Sequence, residues 1–232
     1  VRDKKCDLGI ATDADGDRFG IVDHRGHYIL PNLVLAVLLE YLVAVKGWRG
    51  GIARSVATTH LIDRIARAYD LPVYRTKVGF KFLADLWLQN KIVFGGEETA
   101  SLAVARHLPE KDGIMAGLLT AEMVAASGRR LSDLIVGLFR KYGERIGLQK
   151  NIPSNPERTR NLRRLIKVPP SRLAGRPVEN IETIEGIKFD FKGDDWVLLR
   201  TSGTEPLIRC YAEAGTKRDL RALVKAALEK LG

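Results

Sequence analysis

Between residues 52 and 142, short runs rich in Val, Ile and Tyr alternate with stretches whose apolar residues recur every three or four positions. The pattern predicts strands near 52–57, 72–76 and 91–94 and helices near 60–69, 80–89, 112–126 and 131–142. A strand that leads through a helix to the next strand joins its sheet by a crossover, so the sheet should be mostly parallel and covered by helices. Pro31 suits the first turn of a preceding helix, in which Leu35, Leu38, Leu39, Leu42 and Val45 share a face until Gly47 stops it. After Tyr142 the texture changes to short strands around 148–152, 181–184, 187–191, 196–200 and 207–213, with helices near 156–167 and 217–231. In the last helix Thr216 is the expected cap, and Leu220, Leu223, Val224, Ala227, Leu228 and Leu231 form one stripe. The fold class read from this is α/β: a βαβ domain with a mixed, mostly parallel sheet, then a smaller α+β carboxy-terminal domain. A short strand–loop–strand segment, 7–12 and 19–23, precedes both.

With 232 residues, 45% of them hydrophobic, the chain can bury a substantial core. Its formal charge of +10 favours anionic partners, phosphorylated metabolites among them. Cys6 and Cys210 have neither metal nor disulfide spacing and are expected as buried thiols in a reducing, cytoplasmic setting. The apolar stretch Leu33 to Val45 is interrupted by Glu40 and falls short of the roughly 20 residues a membrane span needs, so no membrane partner is expected. The opening Val1-Arg2-Asp3-Lys4-Lys5 resembles no signal peptide and suggests a piece of a longer protein.

Asp13-Ala14-Asp15-Gly16-Asp17-Arg18 sets three carboxylates at alternate positions between two apolar strands. A turn at Gly16 would aim them at one hard cation, and oxygen-only ligands favour magnesium or calcium. An EF-hand needs glycine where Arg18 stands and glutamate where His24 stands. Arg200-Thr201-Ser202-Gly203-Thr204-Glu205-Pro206 offers a planar cation, two hydroxyls and a glycine after a strand, a combination suited to a phosphate; Arg209 can add a second cation. The bland reading is a polar hairpin that caps its own turn. Three further loops follow strands or open helices: Thr76-Lys77-Val78-Gly79-Phe80-Lys81, Gly95-Gly96-Glu97-Glu98-Thr99-Ala100-Ser101, and Lys111-Asp112-Gly113, where Asp112 is a plausible cap.

In this order the loops DADGDR, TKVGFK, GGEETAS with EKDG, and RTSGTEP resemble the α-D-phosphohexomutase family of phosphoglucomutases and phosphomannomutases, and the resemblance runs from Asp7 to the end. It implies an intramolecular phosphotransferase that moves a phosphoryl group between the 1- and 6-positions of a hexose phosphate. The route is through an enzyme phosphoserine and a hexose bisphosphate. By matching position, Asp13, Asp15 and Asp17 would hold Mg2+, and Arg18 and Lys111 would serve catalysis. Gly79, Phe80, Glu97 and Thr99 would bind the sugar, and Arg200, Ser202, Gly203, Thr204 and Arg209 the phosphate. The chain would then comprise the tail of domain two (1–30), domain three (31–146) and domain four (147–232). Thr99 stands where the family usually has serine, and Phe80 where tryptophan or histidine is common. No segment matches the family's Ser-His-Asn-Pro phosphoserine loop; Ser55, in ARSVATTH, reads as a strand-end residue. The chain alone is therefore expected to be inactive, its partners being hexose phosphate, hexose bisphosphate and the missing amino-terminal domains.

Two alternatives stay open. The acidic loop is also similar to the Asp-x-Asp-Gly-Thr loop of haloacid dehalogenase-type phosphatases, with Asp13 as nucleophile and Asp17 in place of threonine. Arg158, Arg160, Arg163, Arg164 and Lys167 on one helix would suit a basic nucleic-acid-binding module, although aromatic stacking platforms are absent and no nucleic-acid partner is expected.

Overall fold

A computed structural model describes residues 1–232 and divides them into two compact units, Val1–Gly143 and Glu144–Gly232. The first opens with an antiparallel sheet of β1 (Leu8–Thr12), β2 (Phe19–Asp23) and β3 (Tyr28–Ile29), in that spatial order. Then come α1 (Pro31–Ala44), β4 (Gly51–Ser55), α2 (Leu61–Ala68), β5 (Val73–Thr76), α3 (Lys81–Leu88), β6 (Ile92–Glu97), β7 (Ser101–Val104), α4 (Gly113–Ser127) and α5 (Leu131–Tyr142). The second sheet has the order β5-β4-β6-β7; β5, β4 and β6 run parallel, and β7 returns antiparallel beside β6.

Helix α1 packs against α2, α4, α5, β2 and β6, which is why Val34–Leu39 and Tyr41–Val43 are buried on every side instead of along a stripe. Val45 does not belong to that face: the helix ends at Ala44 and Val45 is 68% exposed. Strand β7 was not foreseen, because Gly95-Gly96 read as the start of a loop. Both glycines lie inside β6, and a Cβ on Gly96 would come within 2.7 Å of the Leu35 side chain. Close packing of α1 on the sheet outweighs the poor strand propensity of glycine there. Cys6 is exposed, against expectation, because it sits in the turn before β1.

The second unit contains β8 (Ile146–Pro153), α6 (Pro156–Lys167), β9 (Arg172–Leu173), β10 (Arg176–Pro177), β11 (Asn180–Glu182), β12 (Ile187–Phe191), β13 (Asp195–Thr201), β14 (Leu207–Ala214) and α7 (Lys217–Glu229). Its main sheet, β11-β12-β13-β14-β8, is antiparallel throughout. Helix α7 lays Leu220, Leu223, Val224 and Ala227 on this sheet, and the Thr216 hydroxyl caps it by accepting the Asp219 N–H. The β9–β10 hairpin escaped the sequence reading because two-residue strands carry no period. Cys210 lies in this core, where burial pushes its thiol up to about 12. No helix of either unit is long and apolar enough to cross a membrane.

Just before β8, Arg145 is 4% exposed, and its guanidinium lies 3.0 Å from Oδ1 of Asp195, the first residue of β13, and 3.3 Å from Glu213 Oε1. It also donates to the Gly193 and Asp194 carbonyls. Arg176 adds a second cation 2.7 Å from Asp195. Such a network replaces lost hydration with paired charge and hydrogen bonds.

Candidate functional site

The acidic loop is the tip of the β1–β2 hairpin, closed by the Thr12↔Phe19 pair. Gly16, at φ +77°, supplies the reversal. Its N–H donates to the Asp13 carbonyl at 3.2 Å, and the Arg18 N–H donates to Asp13 Oδ1 at 3.0 Å. This last bond is the main reason the Asp13 carboxyl sits below the ordinary aspartate range. One oxygen from each of Asp13, Asp15 and Asp17 lies within 4.8 Å of the others. Asp17 Oδ1 is buried without a hydrogen-bond partner. An orphaned carboxylate oxygen beside two more hard donors fits a magnesium-sized dication.

The floor of the loop is the amino end of α4. Gly113 N–H donates to the Gly16 carbonyl at 3.0 Å, and a Cβ on Gly113 would lie only 2.3 Å from the Arg18 carbonyl oxygen. Only glycine permits that approach. Asp112 caps α4 by accepting the Met115 N–H at 2.8 Å, and its other oxygen meets His107 Nε2 at 2.7 Å. Burial raises the Asp112 carboxyl, but the Met115 N–H and His107 outweigh burial and hold it below its usual value. Next to it, Lys111 Nζ reaches Asp17 Oδ2 at 2.5 Å and lies 5.9 Å above the Phe80 ring. Its bond to Asp17 raises the ammonium above the usual lysine range. Arg18 is half exposed, with Nε 3.7 Å from both Asp13 and Asp17.

The turn between β6 and β7 joins the same network, since Phe19 N–H donates to the Ala100 carbonyl at 3.2 Å. Glu97, buried at the end of β6, accepts the Gly79 N–H at 2.6 Å. Gly79 has φ +130°, a conformation that disfavours any other residue. Thr99 Oγ1 lies 3.4 Å from Ser101 Oγ. Phe80 packs with Leu83, Ile92, Ala53 and Ala103, so its ring serves as core as well as a platform for Lys111. The first unit thus brings together Asp13, Asp15, Asp17, Arg18, Gly79, Phe80, Glu97, Thr99 and Lys111.

In the second unit, residues 202–206 form the turn of the β13–β14 hairpin, with Arg200 opposite Arg209. Ser202 N–H donates to the Leu207 carbonyl at 2.8 Å. Gly203 is exposed, lacks a left-handed φ, and a Cβ there would meet nothing within 4 Å. Arg200 is only 6% exposed; its guanidinium donates to Glu185 at 2.8 Å and to the Tyr211 hydroxyl at 3.2 Å. Arg209 pairs with Glu205, and its bond to Tyr211 strengthens its hold on the proton. The Nε of each arginine is buried without an acceptor. Sequence reasoning missed Glu185 and Tyr211, which hold Arg200; no motif marks them. It also gave Glu98 no part in the site, although the doubled Glu97-Glu98 was a visible signal.

Residues 31–142 match the family model described as phosphoglucomutase/phosphomannomutase, alpha/beta/alpha domain III, and residues 154–230 match that of the C-terminal domain. A phosphoglucomutase/phosphomannomutase of Thermococcus kodakarensis is 31% identical over 97% of this chain and 47% of its own length. A probable phosphoglucosamine mutase of Pyrococcus abyssi is 32% identical over 100% of this chain and 49% of its own. The crystal structure of a putative phosphomannomutase from Thermus thermophilus superposes with a TM-score of 0.78 at 32% identity, covering 96% of this chain and 45% of that one. The chain spans about half the length of the curated relatives it matches. By its two matched domains and the loops they carry, it belongs to the phosphoglucomutase/phosphomannomutase family.

Proposed function

We propose that these residues form the metal-, sugar- and phosphate-binding parts of a phosphohexomutase acting in the cytoplasm, which exchanges a phosphoryl group between the 1- and 6-positions of a hexose phosphate through a phosphoserine and a bisphosphate. The observation that carries the reading is the acidic loop: three aspartate oxygens within 4.8 Å, one of Asp17's buried without a hydrogen-bond partner, and Lys111 on the same carboxylate. Asp13, Asp15 and Asp17 would hold Mg2+, which when bound neutralises charge on phosphoryl oxygens during transfer. Arg18 and Lys111, both on the rim of that loop, would stabilise the same charge. Glu97 would accept hydrogen bonds from sugar hydroxyls while Thr99 donates or accepts. Ser202, Gly203 and Thr204, together with Arg200 and Arg209, whose Nε groups are buried without an acceptor, would hold the phosphate that does not react. The serine that would carry the phosphoryl group has no counterpart in Ser-His-Asn-Pro context among these residues.

Calorimetric titration of Mg2+ into the chain tests this reading. Saturable binding is expected, weakened at least about tenfold by Asp17→Asn, since each ligand carboxylate contributes a charge the amide lacks. Binding that Asp17→Asn leaves untouched would remove the metal from the loop. Magnesium-dependent release of inorganic phosphate from a phosphomonoester, lost in Asp13→Asn, would favour an aspartyl phosphatase instead.

A further inference from the structure

Strand β4 is where the winding of the second sheet reverses: α2 leads to β5 on one side of it, and α3 leads to β6 on the other. Sheets of this kind take ligands at the carboxyl ends of the strands flanking such a reversal. Three segments end there: 55–60 after β4, 77–80 after β5, and the 97–100 turn after β6. The first is unusual for a loop, since Ser55, Thr58 and Thr59 are all at most 1% exposed.

Buried hydroxyls need partners: that of Thr59 accepts the Leu61 N–H, and those of Ser55 and Thr58 find Glu98. Ser55 Oγ donates to Glu98 Oε2 at 2.8 Å; Thr58 Oγ1 lies 2.9 Å from Ser55 Oγ and 3.4 Å from the same Glu98 oxygen. The adjacent carboxylate points elsewhere, Glu97 accepting from Gly79 at 2.6 Å. Two consecutive glutamates from one turn therefore tie it to two different strand-end loops, and Thr99 follows directly. A carboxylate suits this place because it accepts from both hydroxyls and brings no donor that would need a partner of its own.

We propose that Glu98 is a positioning residue of the hexose site, held by Ser55 and Thr58 so that Glu97 and Thr99 present their oxygens at a fixed spacing to neighbouring sugar hydroxyls. This rests on the reading of Glu97 and Thr99 given above. Pre-oriented groups of this sort lose affinity steeply when their supports are removed, typically about 10- to 100-fold where measured at metal sites.

The test is titration of glucose 6-phosphate, mannose 6-phosphate and glucosamine 6-phosphate into the chain at saturating Mg2+, with inorganic phosphate and Mg2+ titrated separately. Glu98→Ala should weaken the best-bound sugar phosphate about tenfold and leave inorganic phosphate and Mg2+ within about twofold. Glu98→Gln, which keeps one acceptor, should restore most of the loss. Ser55→Ala, a smaller change, should give about threefold and keeps the test open if Glu98→Ala does not fold. Equal sugar phosphate affinity in wild type and Glu98→Ala overturns the inference alone; parallel loss of all three ligands overturns it in favour of a purely structural role. A wild-type chain that binds none of the sugar phosphates overturns the hexose-site reading and this inference with it.

Discussion

In the first unit the loops proposed to meet ligand also close the fold. The acidic hairpin rests by its backbone on Gly113, the 97–100 turn is bonded to Phe19, and Asp112 both caps α4 and steadies the segment carrying Lys111. In the second unit the two tasks lie at opposite ends of the same strands. The buried charges of Arg145, Asp195 and Glu213 sit at the start of β13 and the end of β14, whereas the 202–206 turn lies at the other end with Gly203 in open space. The teaching is about separability: near the acidic loop a substitution should disturb stability and binding together, and at the hairpin it should disturb one or the other.

The largest expected effect is at the stabilising end of the second unit. Arg145→Met leaves Asp195 and Glu213 short of their buried partner and should cost about 3–5 kcal/mol, read as a lowered unfolding midpoint in calorimetry. Mg2+ affinity, measured well below that midpoint, should not change. A loss of Mg2+ binding in this variant would break the separation at its strongest point.

Gly113→Ala probes the opposite case. Alanine is the better helix former by about 1 kcal/mol, but a Cβ 2.3 Å from the Arg18 carbonyl must push the acidic loop aside, a strain on the order of 1–3 kcal/mol. Stability and Mg2+ affinity should fall together. Were the variant stabilised by its new methyl group with Mg2+ affinity intact, the loop and the helix would not share the contact argued for here.

The two cysteines give a smaller and pH-dependent contrast. Cys210 has its thiol raised from 9.0 to about 12 by burial, so the folded chain resists ionisation that the unfolded chain allows. A raised folded value means the contribution is whole below pH 9 and is lost as pH rises from 9 toward 12, about 1 kcal/mol by pH 10. Cys210→Ala should flatten that part of the alkaline stability curve. A thiol reagent should modify exposed Cys6 in the native chain and reach Cys210 only on unfolding.

What the sequence made legible follows the range of the signals. Helix α7 and its Thr216 cap, the Asp112 cap and the acidic hairpin are all written in neighbouring residues, and each formed where the local pattern put it. The β6–β7 hairpin was hidden because Gly95 and Gly96 answer to Leu83 and Leu35, distant side chains that no local pattern records. Arg200 shows the same limit from the other side: its type and place were plain, but its commitment to Glu185 and Tyr211 depends on strands that meet only in the folded sheet. Val45 continued the helical period yet lay past the helix end, since periodicity fixes a face and not a terminus.

The smallest expected effect on stability is at Gly203, and it sharpens the comparison most. Neither backbone conformation nor packing asks for glycine there, because its φ is not left-handed and a Cβ would meet nothing within 4 Å. Gly203→Ala should therefore leave the unfolding free energy within about 0.5 kcal/mol of the original, with a slight gain from the stiffer unfolded chain. If the open space around Gly203 is where a phosphate approaches the turn, the added methyl group should still weaken inorganic phosphate binding, by about fivefold for the loss of a single close N–H contact of roughly 1 kcal/mol. Titrating phosphate into both chains decides the matter: unchanged affinity at unchanged stability would mean that the ligand does not come within reach of Gly203, and would move the phosphate site away from the hairpin tip.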